Sequence, residues 1–434
     1  MKSLWHGTAK DMRVAHPPIR GDASVDVLII GGGMAGILCA HRLSERGANY
    51  LLVEGDEIGG GTTGNTTAKI TAQHGLIHQD IERRFGLAAA AKYLAANQWA
   101  IDEYERLSAR YPCDFERQNA YTYSVSDRKK LEREAATYRK LHLSGVIRDD
   151  LPLPIKTSGA VQMERQAQFH PLRFLYALAT PLNIAERTFV MGIDEHTAYT
   201  ARGRITAKHI VLATHFPLVN IPGLYFLKMF QHRSYVIALE NAPDFPGMYV
   251  DEADAGYSFR RQGGLLLVGG GDHRTGKQGG GYEAPRALAR QAYPGAHEKY
   301  AWAAQDCMTL DGMPYIGRHR TGAATLYVAT GFHKWGMTSS MVAARVLTDL
   351  ILDGRSDLEA LYNPRRSMWR AQLFANTAHA VGGLGSIGGH RCAHMGCKLK
   401  WNPLERTWDC GCHGSRFDEG GHVLENPAKK NIKL

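Results

Sequence analysis

VDVLIIGGGMAG, residues 25–36, decides how the rest of the chain is read. Val25 to Ile30 form an almost unbroken apolar run, the signature of a strand buried on both faces of a parallel sheet. Gly31, Gly33 and Gly36 come next in G-x-G-x-x-G spacing. Ile37–Arg46 then reads as a helix, and a second apolar strand, Tyr50–Val53, ends in Glu54. Each glycine has a separate task. Gly31 makes the tight turn, Gly33 lets the backbone approach a pyrophosphate, and Gly36 lets helix and sheet pack closely. Met34 and Ala35, within the turn, are further candidate contacts, and the helix N-terminus faces the phosphates. Glu54 is placed to accept the ribose hydroxyls and would repel a 2′-phosphate. The segment therefore predicts a dinucleotide site that disfavours NADP.

The chain beyond the second strand favours a flavin nucleotide over a nicotinamide one. Residues 59–75, GGGTTGNTTAKITAQHG, suit a loop laid along a cofactor, with Gly61, Thr62, Thr66, Thr67, Ala68 and Lys69 as its candidate contacts. Far downstream, QDCMTLDGMPYIGRHR (305–320) leads to a strand, TLYVATGF (325–332). A helix is predicted from near Met337 to Gly354. Its N-terminal end, with Gly331, Phe332, Gly336, Met337 and Thr338, would favour the electron-rich edge of a reduced flavin.

The seven cysteines are unevenly placed. Cys39, Cys113 and Cys307 are isolated, whereas Cys392, Cys397, Cys410 and Cys412 crowd near the C-terminal end. A secreted disulfide framework would not look like this; a local metal or cluster site would. Cys392-x-His394 and Cys410-x-x-His413 supply two thiolates and two imidazoles, the ligand set of a Rieske [2Fe–2S] centre. A Cys2His2 zinc site is the rival reading, against which the order of the ligands and the HGSRF run (413–417) argue.

Composition narrows the field. The 434 residues predict two to four structural units at roughly 100–200 residues each. Hydrophobic residues at 44% and charged residues at 22% exclude global disorder. The net charge of +10 shows no long basic block and no nucleic-acid motif, so a docked acidic partner protein is expected rather than a nucleic acid. No apolar run predicts a membrane span or a secretory signal, and the expected compartment is cytoplasmic.

Together these stretches resemble the FAD-dependent oxidoreductases of the D-amino acid oxidase/glycine oxidase superfamily, in particular a bacterial subgroup with a C-terminal Rieske domain. The resemblance is carried by the glycine motif with Glu54, TGNTTAKITAQHG (63–75), CDFERQNAYTY (113–123), QAQFHP (166–171), VLATHFP (211–217), YSFRR (257–261), LDGMPYIG (310–317) and GFHKWGMT (331–338). It implies an α/β fold with a discontinuous Rossmann-like FAD domain (1–80, 150–215, 305–355). A helical insert and an antiparallel substrate sheet (81–149, 216–304) complete the body. A helix and Gly-rich linker (356–390) then lead to a shortened all-β Rieske module (391–434), with room for almost no strands before its first cysteine. It further implies a disulfide between Cys397 and Cys412, with two free thiols as the alternative.

The implied reaction is oxidation of a small amine, amino-acid-like or C–O substrate by hydride transfer to FAD. Electrons would leave singly through the cluster to an external acceptor, an acidic carrier protein being the expected partner. A flavin/Rieske relay between protein partners, without an organic substrate of its own, is the alternative; a degenerate, purely structural cluster module is a third. Arg260 is the candidate carboxylate anchor, with Arg261 on the opposite face of its strand. Lys334 and His333 are candidates for stabilising negative charge at the flavin, His170 and His74 for proton acceptance, and Tyr257 for the pocket roof.

Overall fold

The computed structural model describes residues 2–320, 322–368, 373–378, 382 and 388–434. The chain opens on a short helix, α1 (Leu4–Thr8), capped by the Ser3 hydroxyl and anchored by the buried Trp5. The strand–turn–helix read from sequence is present as β1 (Ala23–Ile30) and α2 (Met34–Glu45), then β2 (Tyr50–Val53). Gly31 has φ +116°, and a Cβ there would fall 2.5 Å from the Ala213 carbonyl oxygen. A Cβ on Gly36 would overlap the Gly31 carbonyl oxygen, so only glycine allows α2 to start against β1.

After β3 (Lys69–Ile70), the Ala- and Leu-rich stretch forms a helix pair, α3 (Ile77–Phe85) and α4 (Leu87–Ser108), divided at Gly86. β4 (Glu116–Tyr123), the charged helix α5 (Arg128–Lys140), β5 (Ile147–Arg148) and β6 (Ala160–Gln168) come next. Then come α6 (Pro171–Ala179), β7 (Ile184–Ala185), β8 (Val190–Asp194), β9 (Thr197–Thr200) and β10 (Gly203–Leu212). A short α7 (Tyr225–Lys228) precedes the alternating strands β11 (Met229–Glu240), β12 (Met248–Asp251), β13 (Ser258–Gln262) and β14 (Leu265–Arg274). The body ends with α8 (Glu283–Ala292), β15 (His297–Thr309), β16 (Tyr315–Arg318), β17 (Leu326–Thr330), α9 (Gly336–Leu352) and α10 (Glu359–Tyr362).

These strands build two sheets. The first has the order β16-β17-β10-β1-β2-β7, with β9 on β10 and β8 on β9. Its centre is parallel, β1 lying between β2 and β10. This places the turns after β1, β10 and β17 on one edge, where a crevice for a ligand opens. The second sheet runs β15-β11-β14-β13-β12-β4-β6-β3, with β5 on β6, and roofs that edge. The division differs from the expected one. β3, β6 and the 305–309 end of β15 belong to the roof, because β3 and β4 pair with β6, and β15 pairs with β11 along its whole length.

The helix expected between residues 356 and 390 is interrupted. α10 stops at Tyr362 because Pro364 has no N–H to donate and holds Asn363 in an extended conformation (ψ 121°). Residues 373–378 are helical again. The rest of that stretch, and most of the Gly-rich connector, lies outside the described residues.

The C-terminal module is a four-stranded antiparallel sheet, β18 (Leu399–Asn402), β19 (Thr407–Cys410), β20 (Arg416–Phe417) and β21 (Val423–Glu425). Among the described residues no strand of this module precedes the first cysteine. Its own core is small: four cysteines, Leu399, Phe417 and Ala428. A core of that size needs outside support, and the body provides it.

Candidate active site and cluster site

A cavity of about 1700 Å³ opens between the two sheets and also reaches the C-terminal module. Gly31, Gly33, Met34, Ala35 and Glu54 line it, as do Gly61, Thr62, Thr66, Thr67 and Lys69, and Gly331, Phe332, Gly336 and Met337. Three expected contacts do not line it. Gly36 packs under the turn. Ala68 is fully buried behind the loop, and Thr338 donates to the Thr71 carbonyl oxygen (3.0 Å).

Glu54 is fixed by two backbone donors, Gly32 N–H (2.6 Å) and Asp56 N–H (2.9 Å). Burial raises its pKa against those hydrogen bonds. Thr63, within the predicted cofactor loop but not among its candidate contacts, accepts from the Met34 N–H (3.0 Å) at the start of α2.

The loop 64–68 is braced from behind, one carbonyl at a time. Gly64 O accepts from Ser3 Oγ (2.5 Å), Asn65 O from Trp302 Nε1 (3.0 Å) and Thr66 O from Trp5 Nε1 (2.7 Å). Thr67 O and Ala68 O both accept from Arg260 (2.9 and 2.8 Å). In a trans peptide the next N–H points the opposite way. The N–H groups of Asn65, Thr66 and Thr67 are therefore turned toward the cavity these residues line. With the helix start at Met34, this row of donors matches the acceptor-rich edge and phosphates of FAD.

This geometry corrects the reading of Arg260. Its side chain is fully buried, does not line the cavity, and is spent on the loop carbonyls, on Gln262 and on the face of Trp5. Burial lowers its pKa to about 9. It positions the loop and offers no free fork to a carboxylate. Arg261 turns to the other face, ion-paired with Asp244 at 2.8 Å.

The histidines divide in the same way. His170 is buried away from the cavity; its Nδ1 caps α6 at Arg173 N (3.2 Å), and its Nε2 meets Thr8 Oγ1 (2.8 Å). His74 lines the cavity, but its Nδ1 is bonded to Tyr93 OH (2.5 Å), and its Nε2 to Thr71 O (2.7 Å) and Thr338 Oγ1 (2.9 Å). Neither has a ring nitrogen free to take a proton, and burial lowers both pKa values to about 3.

His333 does face the cavity, with Nδ1 accepting from Thr309 N–H (3.3 Å) and burial lowering its pKa to about 4. Lys334 beside it is bound to Asp272 Oδ2 (2.5 Å). Burial opposes its charge, but Asp272 more than offsets this, so its pKa is raised. Both residues adopt left-handed backbone (φ +51° and +68°), strain of the kind that collects at working sites. Tyr257 is in the wall as expected. Asp272 and Asp306, also in the wall, could not be singled out from sequence, since isolated aspartates on strands carry no motif.

At the far end, the two cluster loops come together. Cys392 N–H donates to Cys397 O (2.9 Å) and Cys410 N–H to Ser415 O (2.9 Å). The His394 and His413 rings lie 5.0 Å apart at 89°. The Nδ1 of both rings is buried without a hydrogen-bond partner among the described residues, while His394 Nε2 is held by Asn220 (3.0 Å). Two orphaned imidazole nitrogens beside the Cys392 and Cys410 thiols fit a two-iron centre. The disulfide implied between Cys397 and Cys412 is not formed. Their sulfurs and that of Cys410 lie within 4.8 Å of one another.

The body shelters this site with its own side chains. Phe216 and Phe226 lie edge-on to His394 and His413 (6.4 and 5.9 Å). Arg233 on β11 binds Glu405 and Glu425 of the module, and Asn426 Nδ2 donates to Thr214 O (2.6 Å). Gln305 links the two sites. Its Nε2 donates to Gly414 O (2.8 Å), next to His413, and its carbonyl accepts from Thr62 Oγ1 (3.0 Å) of the braced loop.

Comparison with known proteins agrees with this geometry. The family described as FAD dependent oxidoreductase (DAO) matches residues 26–350, and the Rieske [2Fe-2S] domain matches residues 380–434. The putative Rieske 2Fe-2S iron-sulfur protein YhfW of Bacillus subtilis is 34% identical over 96% of this chain and 94% of its own length. Gamma-glutamylputrescine oxidoreductase of Escherichia coli is 24% identical over 87% of this chain and 92% of its own. The solved structure of L-proline dehydrogenase from P. horikoshii shares the fold, with a TM-score of 0.67 and 17% identity over 80% of this chain and 98% of its own. Among the described residues no helix is long and apolar enough to cross a membrane. The cofactors are FAD and a [2Fe–2S] cluster, and the chain belongs to the FAD-dependent oxidoreductases of the DAO family, with a Rieske domain at its C-terminal end.

Proposed function

We propose that this oxidoreductase takes a hydride from a carbon beside nitrogen in a small amine and delivers the electrons, one at a time, to an external carrier protein. The observation that carries this reading is a continuous cavity whose walls include the FAD loops, the roofing sheet and residues 423–431 of the Rieske module. FAD supplies two-electron hydride acceptance, and the cluster supplies single-electron steps. The chain's residues provide the setting. The braced N–H row and the start of α2 hold the cofactor. His333 offers a ring nitrogen to the cavity, and Lys334 sets a cation beside it. Gln305 and Arg233 keep the cluster loops against the body.

The amine preference draws support from the name of the E. coli relative, an oxidoreductase of gamma-glutamylputrescine. The basic chain, at +10, suits an acidic carrier.

The test is anaerobic titration of the FAD- and iron-loaded protein with a panel of amines, followed by visible and EPR spectra. Bleaching of the flavin and then the reduced-cluster signal supports the reading. Flavin left untouched by every amine but reduced by a protein electron carrier would favour the relay and overturn it.

A further inference from the structure

We propose that Asp306 selects the substrate: its carboxylate receives the positively charged nitrogen of an amine, and the pocket is built for a cation rather than for an amino-acid carboxylate. This rests on the reading that an organic substrate is oxidised in the flavin cavity, and it adds the recognition element.

Strand alternation places the carboxylate. On β15 the side chains of Gln305 and Cys307 are both occupied, Gln305 by Gly414 and Thr275, and Cys307 by Gln231 (3.0 Å). Asp306 between them projects to the opposite face; all three residues line the cavity, and of the three only the Asp306 side chain is uncommitted. Its surroundings are the two cofactor segments. The Thr62 hydroxyl is bonded to the Gln305 carbonyl (3.0 Å), and His333 N–H to the Cys307 carbonyl (3.0 Å).

The charges there do not balance without a ligand. Two cations are near: Lys334, whose ammonium is committed to Asp272 at 2.5 Å, an oxygen that also accepts from Ser234 Oγ (3.0 Å), and Arg233, which is committed to Glu405 and Glu425. The Asp306 carboxylate makes no hydrogen bond or ion pair with any described residue. Burial raises its pKa to about 6, with Lys334 pulling down and Asp272 pushing up. A half-buried carboxylate left without a partner is costly, and an incoming ammonium offsets that cost.

The arginines of the cavity lie elsewhere. Arg83 and Arg84 are on α3, paired with Asp80 (2.7 and 3.7 Å), and Arg133 is on α5. Arg260, on the roof, is turned behind the loop. Lys69 of the cofactor loop also lines the cavity, but its ammonium donates to Thr67 Oγ1 (3.3 Å) and burial lowers its pKa to about 7, so the wall beside the 331–336 turn offers a free anion and no free guanidinium. The ligand class that fits is a primary or secondary alkylamine with no carboxylate on the carbon to be oxidised.

The test uses the full-length, FAD-loaded chain, kept anaerobic at pH 8. Butylamine and butyrate, matched in size and opposite in charge, are titrated against the visible spectrum of the bound flavin. The signal reports binding whether or not the ligand is oxidised. Wild type is expected to respond to butylamine and not to butyrate. Asp306→Asn should weaken the butylamine response at least tenfold, about 1.4 kcal/mol, at unchanged flavin content and melting temperature. Asp306→Glu, which keeps the charge, should restore most of it. The proposal is overturned if butyrate binds wild type more tightly than butylamine, if neither ligand perturbs the flavin, or if Asp306→Asn leaves butylamine affinity within twofold. Light-driven reduction of the flavin, followed by EPR of the cluster, needs no substrate. It separates a failure of this proposal from a failure of the flavin-to-cluster reading.

Discussion

Replacing Arg233 with methionine should loosen the Rieske module from the flavoprotein body. Arg233 is 2% exposed and reaches Glu405 with two nitrogens and Glu425 Oε1 with a third (3.1 Å). Arg416 of the module holds the same two carboxylates (2.8 and 3.0 Å), and Tyr235 OH donates to Glu405 (3.0 Å). Removing one partner of a buried ion pair costs roughly 3–5 kcal/mol, because the other charge stays buried. Here Arg416 remains to neutralise part of that charge, which sets the expectation at the lower end, about 3 kcal/mol. At about 1.4 kcal/mol per decade, the undocked fraction of the module should rise about a hundredfold. Hydrogen exchange across residues 391–434 reads this directly, since amides of the module would exchange faster while β1 and β10 stay protected. Arg233→Lys should fall between the two, keeping the charge but losing the fork. If Arg233→Met exchanges like wild type and keeps its iron, this network does not fasten the module.

Gly36→Ala should give a folded protein purified largely without flavin, because the new methyl group meets the Gly31 carbonyl oxygen; the ratio of flavin to protein absorbance checks it. Trp5→Phe removes the donor to Thr66 O and should weaken FAD binding about tenfold, one hydrogen bond's worth, with fluorescence titration as the measure. Stability should decline on acidification below neutrality. His74 and His170 are held neutral down to about pH 3 in the fold but take a proton near 6.5 when unfolded, so the unfolded state gains protons first as pH falls. Each contributes a slope of up to about 1.4 kcal/mol per pH unit between those values. Urea unfolding at pH 7.5, 6 and 5 would show it, and His170→Asn, which retains a capping side chain, should flatten it; an unchanged slope would refute the assignment.

The sequence alone determined the parts whose chemistry is local. A strand, a tight turn and a helix start are contiguous, so Gly31, Gly33, Gly36 and Glu54 could be assigned their places before any fold was known. The two short cluster boxes were equally legible, because their ligands are fixed by spacing within a single loop each. What spacing could not decide was the direction of isolated side chains. Arg260 sits on a roof strand as expected, yet packing turns it behind the cofactor loop, where it supplies the donors that the Thr67 and Ala68 carbonyls need. His170 and His74 read as proton acceptors until their partners, Thr8 and Tyr93, arrived from other segments. Asp306 and Arg233 gave no signal, being single charges on alternating strands. They acquire a role only when β11, β14 and β15 pair and bring the cluster module and the flavin loops to the same cavity. Motifs record contacts between neighbours in sequence; the unpaired carboxylate and the shared wall arise from contacts between residues hundreds of positions apart.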